Sequence, residues 1–300
     1  MKSVKVDATE LQTSINKLEN MINSFEEIEL TLFSKVISLK DIWNDGYSVS
    51  FYEAMENEKH EFDVLAEDLK RFKDTYDYIY NIVSKYGNKL QADFTAAHNI
   101  ATRHNSCNQK FYTIESQYEN LDLRRCSEVS NEIHNQKSKF RTTRKELDRY
   151  MDRFNDAIED LNTMEYDVKS RILDLDLDDI ESITFSEEAF ASGILDSNSV
   201  GITFTDNLDE ALRNIKVSIQ DEEEIIADIN NEFVVLRNHY ISNINSKIVN
   251  NKQVDFNCQF KTLKNNHDNM IVFINSLKEK YLQLNNDIVS NIDKDIKKVV

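Results

Sequence analysis

Histidine and glutamate together on helix-forming sequence raise the question of a carboxylate-bridged metal centre, and bundles of that kind place a Glu-x-x-His pair on one helical face. Three residues before His60, His98, His104, His134, His239 and His267 stand Asn57, Thr95, Ala101, Asn131, Leu236 and Lys264. None is glutamate, so that centre is not expected. His60-Glu61 lacks the second histidine of a zinc-protease helix, because position 64 is Val64. His104 and Cys107 are three residues apart, but both fall on an apolar stripe, which predicts packed core rather than a ligand pair. The run Asp174-Leu175-Asp176-Leu177-Asp178-Asp179 has the acids of a calcium loop without its other requirements: the sixth position is Asp179 instead of glycine, and the twelfth is Phe185 instead of glutamate. Nucleophile elbows and phosphate loops need clustered glycine, whereas Gly46, Gly87, Gly193 and Gly201 stand apart. No metal, cofactor or catalytic constellation is expected, and the reading is non-enzymatic.

The remaining polar residues of interest sit inside helical seams. Leu11, Ile15, Leu18, Ile22, Phe25, Glu29, Leu32, Val36, Leu39 and Trp43 follow alternating steps of four and three, with Glu29 the single polar member. Phe51, Met55, Glu58, Phe62, Leu65, Leu69, Phe72, Tyr76, Ile79, Val83 and Tyr86 repeat the rhythm, with Glu58 as the exception. Such spacing places each set on one stripe of an α-helix that must be buried. Between them, Ile42 to Phe51 holds the only tryptophan, Trp43, and Gly46. Two helices joined by a short glycine-containing turn form an antiparallel hairpin. Asp7-Ala8-Thr9-Glu10 and Ser50-Phe51-Tyr52-Glu53 supply candidate capping boxes, although the second helix has room to begin at Ser48. In this hairpin Trp43 plugs the open end, and Glu29 and Glu58 mark places where it opens toward a partner.

Residues 1–87 therefore read as one hairpin. Residues 88–173 continue the bundle as long helix, and a helix running through Gly87 is favoured because no polar turn cluster surrounds it. Asn120-Leu121-Asp122 is a weak turn, followed by a seam from Cys126 to Val168. Periodicity fails over 174–206, an acidic connection in which Ile183-Thr184-Phe185 and Ile202-Thr203-Phe204 are candidates for a small β-ribbon around a short helix. Residues 207–300 read as a second hairpin, its seams including Glu222 and His267 and its turn at Asn250-Asn251-Lys252. The fold class is all-α: an elongated bundle of long antiparallel helices with coiled-coil-like seams.

Composition agrees. The 300 residues include no proline and only four glycines, so nearly every strong helix breaker is missing. A net charge of −18 argues against nucleic acid and anionic membrane surfaces as partners, because both are bound by concentrated Lys and Arg. No stretch approaches the ~20 apolar residues of a membrane span. Met1 to Asp7 does not lead into the apolar core of a signal peptide, so any export is expected to proceed without a cleaved signal. Cys107, Cys126 and Cys258 read as buried free thiols from a reducing compartment.

The arrangement of helix, Trp43-Asn44-Asp45-Gly46 turn, Phe51 and second helix within about 87 residues resembles the WXG100 (ESAT-6-like) family and its larger WXG-like relatives. Trp43 matches the family tryptophan and Gly46 the turn glycine, with Trp-x-x-Gly in place of Trp-x-Gly. The family's export motif, Tyr followed four residues later by an acid, is absent after Tyr86, where position 90 is Leu90; Tyr52 and Glu56 have the spacing at the start of the second helix. The resemblance implies a helical hairpin, homo- or heterodimers packed as four-helix bundles, and export by type VII secretion machinery. The expected function is a non-enzymatic helical interaction protein, either a type VII (ESX-like) substrate or a co-secreted helper, made in the cytoplasm and then secreted. The alternative is a cytoplasmic coiled-coil scaffold or tether.

Overall fold

A computed structural model of the chain describes residues 3–41, 43, 47–87, 89–120, 127–177, 180–190, 207–240 and 243–299. The fold is all-α, as the seams predict. In chain order it comprises strand β1 (Ser3–Asp7), α1 (Ala8–Ser38) ending in a 3-10 turn (Leu39–Asp41), α2 (Ser48–Ser84), β2 (Lys89–Asp93), α3 (Phe94–Glu119), α4 (Ser127–Leu173), the single turn α5 (Glu187–Phe190), α6 (Asn207–Val235) with a π-helical turn (Leu236–Tyr240), and α7 (Asn243–Val299). Asp7 caps α1 by accepting the Thr9 N–H at 2.9 Å. No helix among the described residues is long and apolar enough to cross a membrane.

Three local expectations are corrected. The helix does not run through Gly87: α2 ends at Ser84 and Gly87 takes a φ of 105°, open to a residue without a Cβ. The chain then enters β2, which pairs antiparallel with β1 from Ser3 opposite Asp93 to Asp7 opposite Lys89. A β-ribbon thus lies here. Among the described residues Ile183–Phe185 forms no strand, and the Asn266 side chain of α7 accepts its Ile183 N–H; 202–204 fall outside the described residues. Finally, Asn250-Asn251-Lys252 is helical within α7. Val249 and Phe256 on either side are buried, and that packing outweighs the roughly 0.5 kcal/mol per residue by which asparagine disfavours a helix.

The residues divide into two compact units. One contains 1–13, 75–172 and 235–248. In it the end of α2 runs antiparallel to α4: the Tyr86 hydroxyl donates to Asp160 at 2.7 Å, the Tyr78 hydroxyl donates to Asp167, and Arg171 lies over the Tyr78 ring. Ile79, Val83, Leu161, Met164 and Val168 are buried there. Farther along α4, Phe111 packs on Phe140, and Arg141 and Arg144 bind Glu115 from α3.

The other unit contains 14–74, 173–234 and 249–300 and carries a four-helix bundle. Phe25 of α1 stacks on Phe62 of α2 at 4.2 Å and meets Phe260 of α7 edge-on. Phe72 of α2 stacks on Phe233 of α6 at 4.0 Å, and Phe233 in turn meets Phe256 of α7. Each such ring, fully buried, contributes about 1.5–3 kcal/mol, and each ring pair about 0.5–1.5 kcal/mol beyond that. Lys17 reaches Glu232 and Lys35 reaches the Asn214 carbonyl, so α1 and α6 are antiparallel.

Candidate functional site

At one end of the bundle Trp43 and Phe51, 1% and 0% exposed, form an aromatic plug. Their rings are 4.9 Å apart; Tyr52 and Phe273 of α7 flank them, and Phe190 and Phe185 close over Phe51. The Tyr52 hydroxyl donates to the Trp43 carbonyl at 3.3 Å, tying the two sides of the turn together. Past the 3-10 turn the Trp43 N–H donates back four residues to the Leu39 carbonyl at 2.7 Å, which keeps the indole on the seam of α1. Gly46 lies outside the described residues.

Below the plug all four bundle helices contribute ionisable residues to the interior. Glu29 of α1 accepts from Lys59 of α2 at 3.0 Å, and Lys59 also binds Asp63. Burial raises the Glu29 carboxyl from 4.5 to about 7 despite that lysine. Glu58 of α2, His267 of α7 and Glu222 of α6 meet at a second layer, all 1–2% exposed. His267 Nδ1 stands 3.1 Å from Glu222 Oε2, and Nε2 stands 3.7 Å from Glu58 Oε2. Burial alone opposes a charge on His267, but the two carboxylates outweigh it and raise its pKa to about 9. Burial also pushes the Glu58 carboxyl up, opposed by the His267 charge. The arrangement places the His267 imidazole between Glu222 and Glu58 in the buried interior of the bundle.

Glu29 and Glu58 are therefore both buried, with counter-charges supplied by the same chain. Glu222 and His267 stand on the same footing as these two, yet the in-helix spacing test passed over them because their relation crosses helices. Their shared signal is that all four are the ionisable members of otherwise apolar seams. Among the described residues no group of three or more His, Cys, Asp or Glu side chains could hold a metal ion. The expectation of buried thiols is corrected for Cys107 and Cys258, both exposed, while Cys126 lies outside the described residues. His104 and Cys107 are not packed core either: on the two-helix α3–α4 pair the stripe is only half covered, and His104 faces Asp148 at 3.3 Å.

Fold and site together define an all-α bundle protein with an aromatic end plug and a buried ionisable layer. Comparison with known protein families, with curated proteins and with solved structures returned no match.

Proposed function

We propose that the chain is a non-enzymatic helical interaction protein handled by a type VII (ESX-like) secretion system, as a substrate or a co-secreted helper exported without a cleaved signal peptide. The observation that carries this reading is the α1–α2 hairpin with Trp43 and Phe51 packed together at its turn. In the WXG100 family, which the turn resembles, such hairpins pair into four-helix bundles. Here α6 and α7 cover the α1–α2 seam as a partner hairpin would, with Phe260 on Phe25 and Phe233 on Phe72. Contact with another helical protein or with the secretion machinery then falls to other surfaces. The test is co-expression with a WXG-like hairpin protein encoded beside it: co-elution as a defined complex on size exclusion supports the reading, and two independent monomers speak against it.

The second reading, a cytoplasmic coiled-coil scaffold or tether, is favoured by the α3–α4 pair. Between residues 99 and 149 none of the described side chains is fully buried, and Tyr112 is 60% exposed. A long helical pair with so little core is suited to holding partners along its length.

A further inference from the structure

α3 and α4 run antiparallel, joined by Phe111 on Phe140 at 4.6 Å and by Arg141 and Arg144 on Glu115. Along one side of α3, Ile100, Cys107 and Ile114 recur every seven residues, the two-turn repeat of a helical seam, and all three are exposed. Facing them α4 sets Leu147, Phe154 and the 71% exposed Tyr150, and between the two helices lies an apolar groove of about 390 Å³. The groove prolongs a surface that is covered elsewhere in the same unit. Leu161, Met164 and Val168 of α4 are fully buried where the end of α2 runs along them, but α2 stops at Ser84. Beyond the Tyr86–Asp160 bond the α4 seam goes on with no third helix over it among the described residues, and Phe154 and Leu147 are only half-buried.

The rims of the groove are charged. Arg103 lines it on the α3 side and Lys110 stands two turns further on; on the α4 side Glu146 and Arg153 lie one turn either side of Tyr150, and Lys139 two turns before Glu146. All five are exposed, and none of the four cations forms an ion pair among the described residues. Residues 99–154 hold eleven basic against eight acidic side chains in a chain of net charge −18, so positive charge gathers where the apolar groove is open. In helical pairings the residues flanking the seam choose the partner. Rims of four cations and one acid select acidic flanks, and they set cations against cations in a second copy of the same face.

We propose that the α3–α4 groove docks an amphipathic helix of a partner protein, its apolar seam laid against Ile100, Cys107, Ile114 and Tyr150 and its flanks carrying Glu or Asp toward the rim cations. The stretch from Ile100 to Ile114 is about 21 Å long, which a partner helix of about four turns covers. The inference rests on reading the chain as a helical interaction protein and adds the surface it uses and the charge of what it binds.

The probe is a fluorescein-labelled helical peptide of three repeats of Glu-Ile-Ala-Ala-Leu-Glu-Lys, with a counterpart in which Glu and Lys are exchanged, each followed by anisotropy against the full chain. The acidic peptide binds at least about tenfold tighter than the basic one, and added salt weakens it. Arg103→Glu with Lys110→Glu, both at exposed positions, lowers its affinity at least about tenfold and raises that of the basic peptide. Alkylation of the unaltered chain locates the contact: saturating acidic peptide slows the reaction of Cys107, in the groove, and leaves that of the exposed Cys258 on α7 unchanged. No binding of the acidic peptide, equal affinity for the two peptides, or binding that survives the charge reversal with Cys107 still reactive overturns the groove; co-elution with a WXG-like hairpin then still tests the interaction reading by itself. A chain that elutes as a dimer with Cys107 protected before any peptide is added assigns the face to a second copy and overturns the proposal as well.

Discussion

His267 Nδ1 lies 3.1 Å from Glu222 Oε2, joining α7 to α6 through a charge-assisted hydrogen bond in a fully buried layer. The groups facing this imidazole are Glu222 from α6 and Glu58 from α2, with the exposed Asp268 on α7 adding a more distant negative charge, and α1 presents the Phe33 ring. Folding raises His267 from 6.5 to about 9, so the native state holds a proton that the unfolded chain gives up sooner. Its contribution is complete below pH 6.5 and lost as pH rises through 9. Glu29, raised from 4.5 to about 7, acts in the same direction at lower pH, and Glu58 is raised too. Thermal melts followed by circular dichroism should therefore show stability falling between pH 6.5 and 9 by about 3 kcal/mol. The double substitution Glu58→Gln with Glu222→Gln removes the cause of the His267 shift, and that fall should disappear; an unchanged slope would contradict the assignment.

The same pair sets the cost of breaking the layer. Glu222→Ala leaves His267 buried without its nearer counter-charge and should destabilise the protein by about 3–5 kcal/mol. Glu222→Gln retains an acceptor and should cost about 1–2 kcal/mol. Urea unfolding of the two variants measures the difference, and equal small losses would mean that water reaches the layer.

Trp43 is the only tryptophan, so its fluorescence reports on the plug alone. Native emission should be blue-shifted, and unfolding should move it to the red. Trp43→Ala opens a cavity among Phe51, Tyr52 and Phe273 and should cost about 3–5 kcal/mol, whereas Trp43→Phe retains most of the ring contacts. A negligible cost for Trp43→Ala in denaturant unfolding would place the indole outside the core.

Gly87 has a φ of 105° and nothing within 4 Å of the position a Cβ would take. Gly87→Ala thus meets no steric neighbour, and its cost is backbone strain alone, about 1–2 kcal/mol. Calorimetry of the variant checks this value; no loss at all would mean that the chain leaves α2 by a different turn.

How much of this was legible in the sequence depends on the range of the interaction involved. The seams of α1, α2, α4, α6 and α7 show directly as alternating three- and four-residue steps, because helical periodicity is local. Trp43 and Phe51 stood out by type and position, and both lie in the plug. The break at Gly87 was misread because propensity treats an isolated glycine as tolerable; pairing of β2 with β1, more than eighty residues earlier, decides it. Val4 and Val6 alternate with Lys5 in β1, a strand signal too short to weigh alone. Asn250 and Asn251 looked like a turn, yet tertiary packing at Val249 and Phe256 carries the helix past them. The Glu222–His267 pair was invisible to spacing rules, since its members are forty-five residues apart on different helices. Lys252, Gln259 and Asn266 recur every seven residues in the sequence, but that they bind the backbone of the irregular segment at Leu175, Ile180 and Ile183 shows only in the structure.

The proposal that this is a helical interaction protein exported by type VII machinery is tested most directly by following the full chain in its host with and without the type VII ATPase. The account predicts the protein in culture medium when the ATPase is present and its retention in the cytoplasm when the ATPase is deleted. Equal amounts in the medium of both strains, or cytoplasmic retention in both, would contradict it.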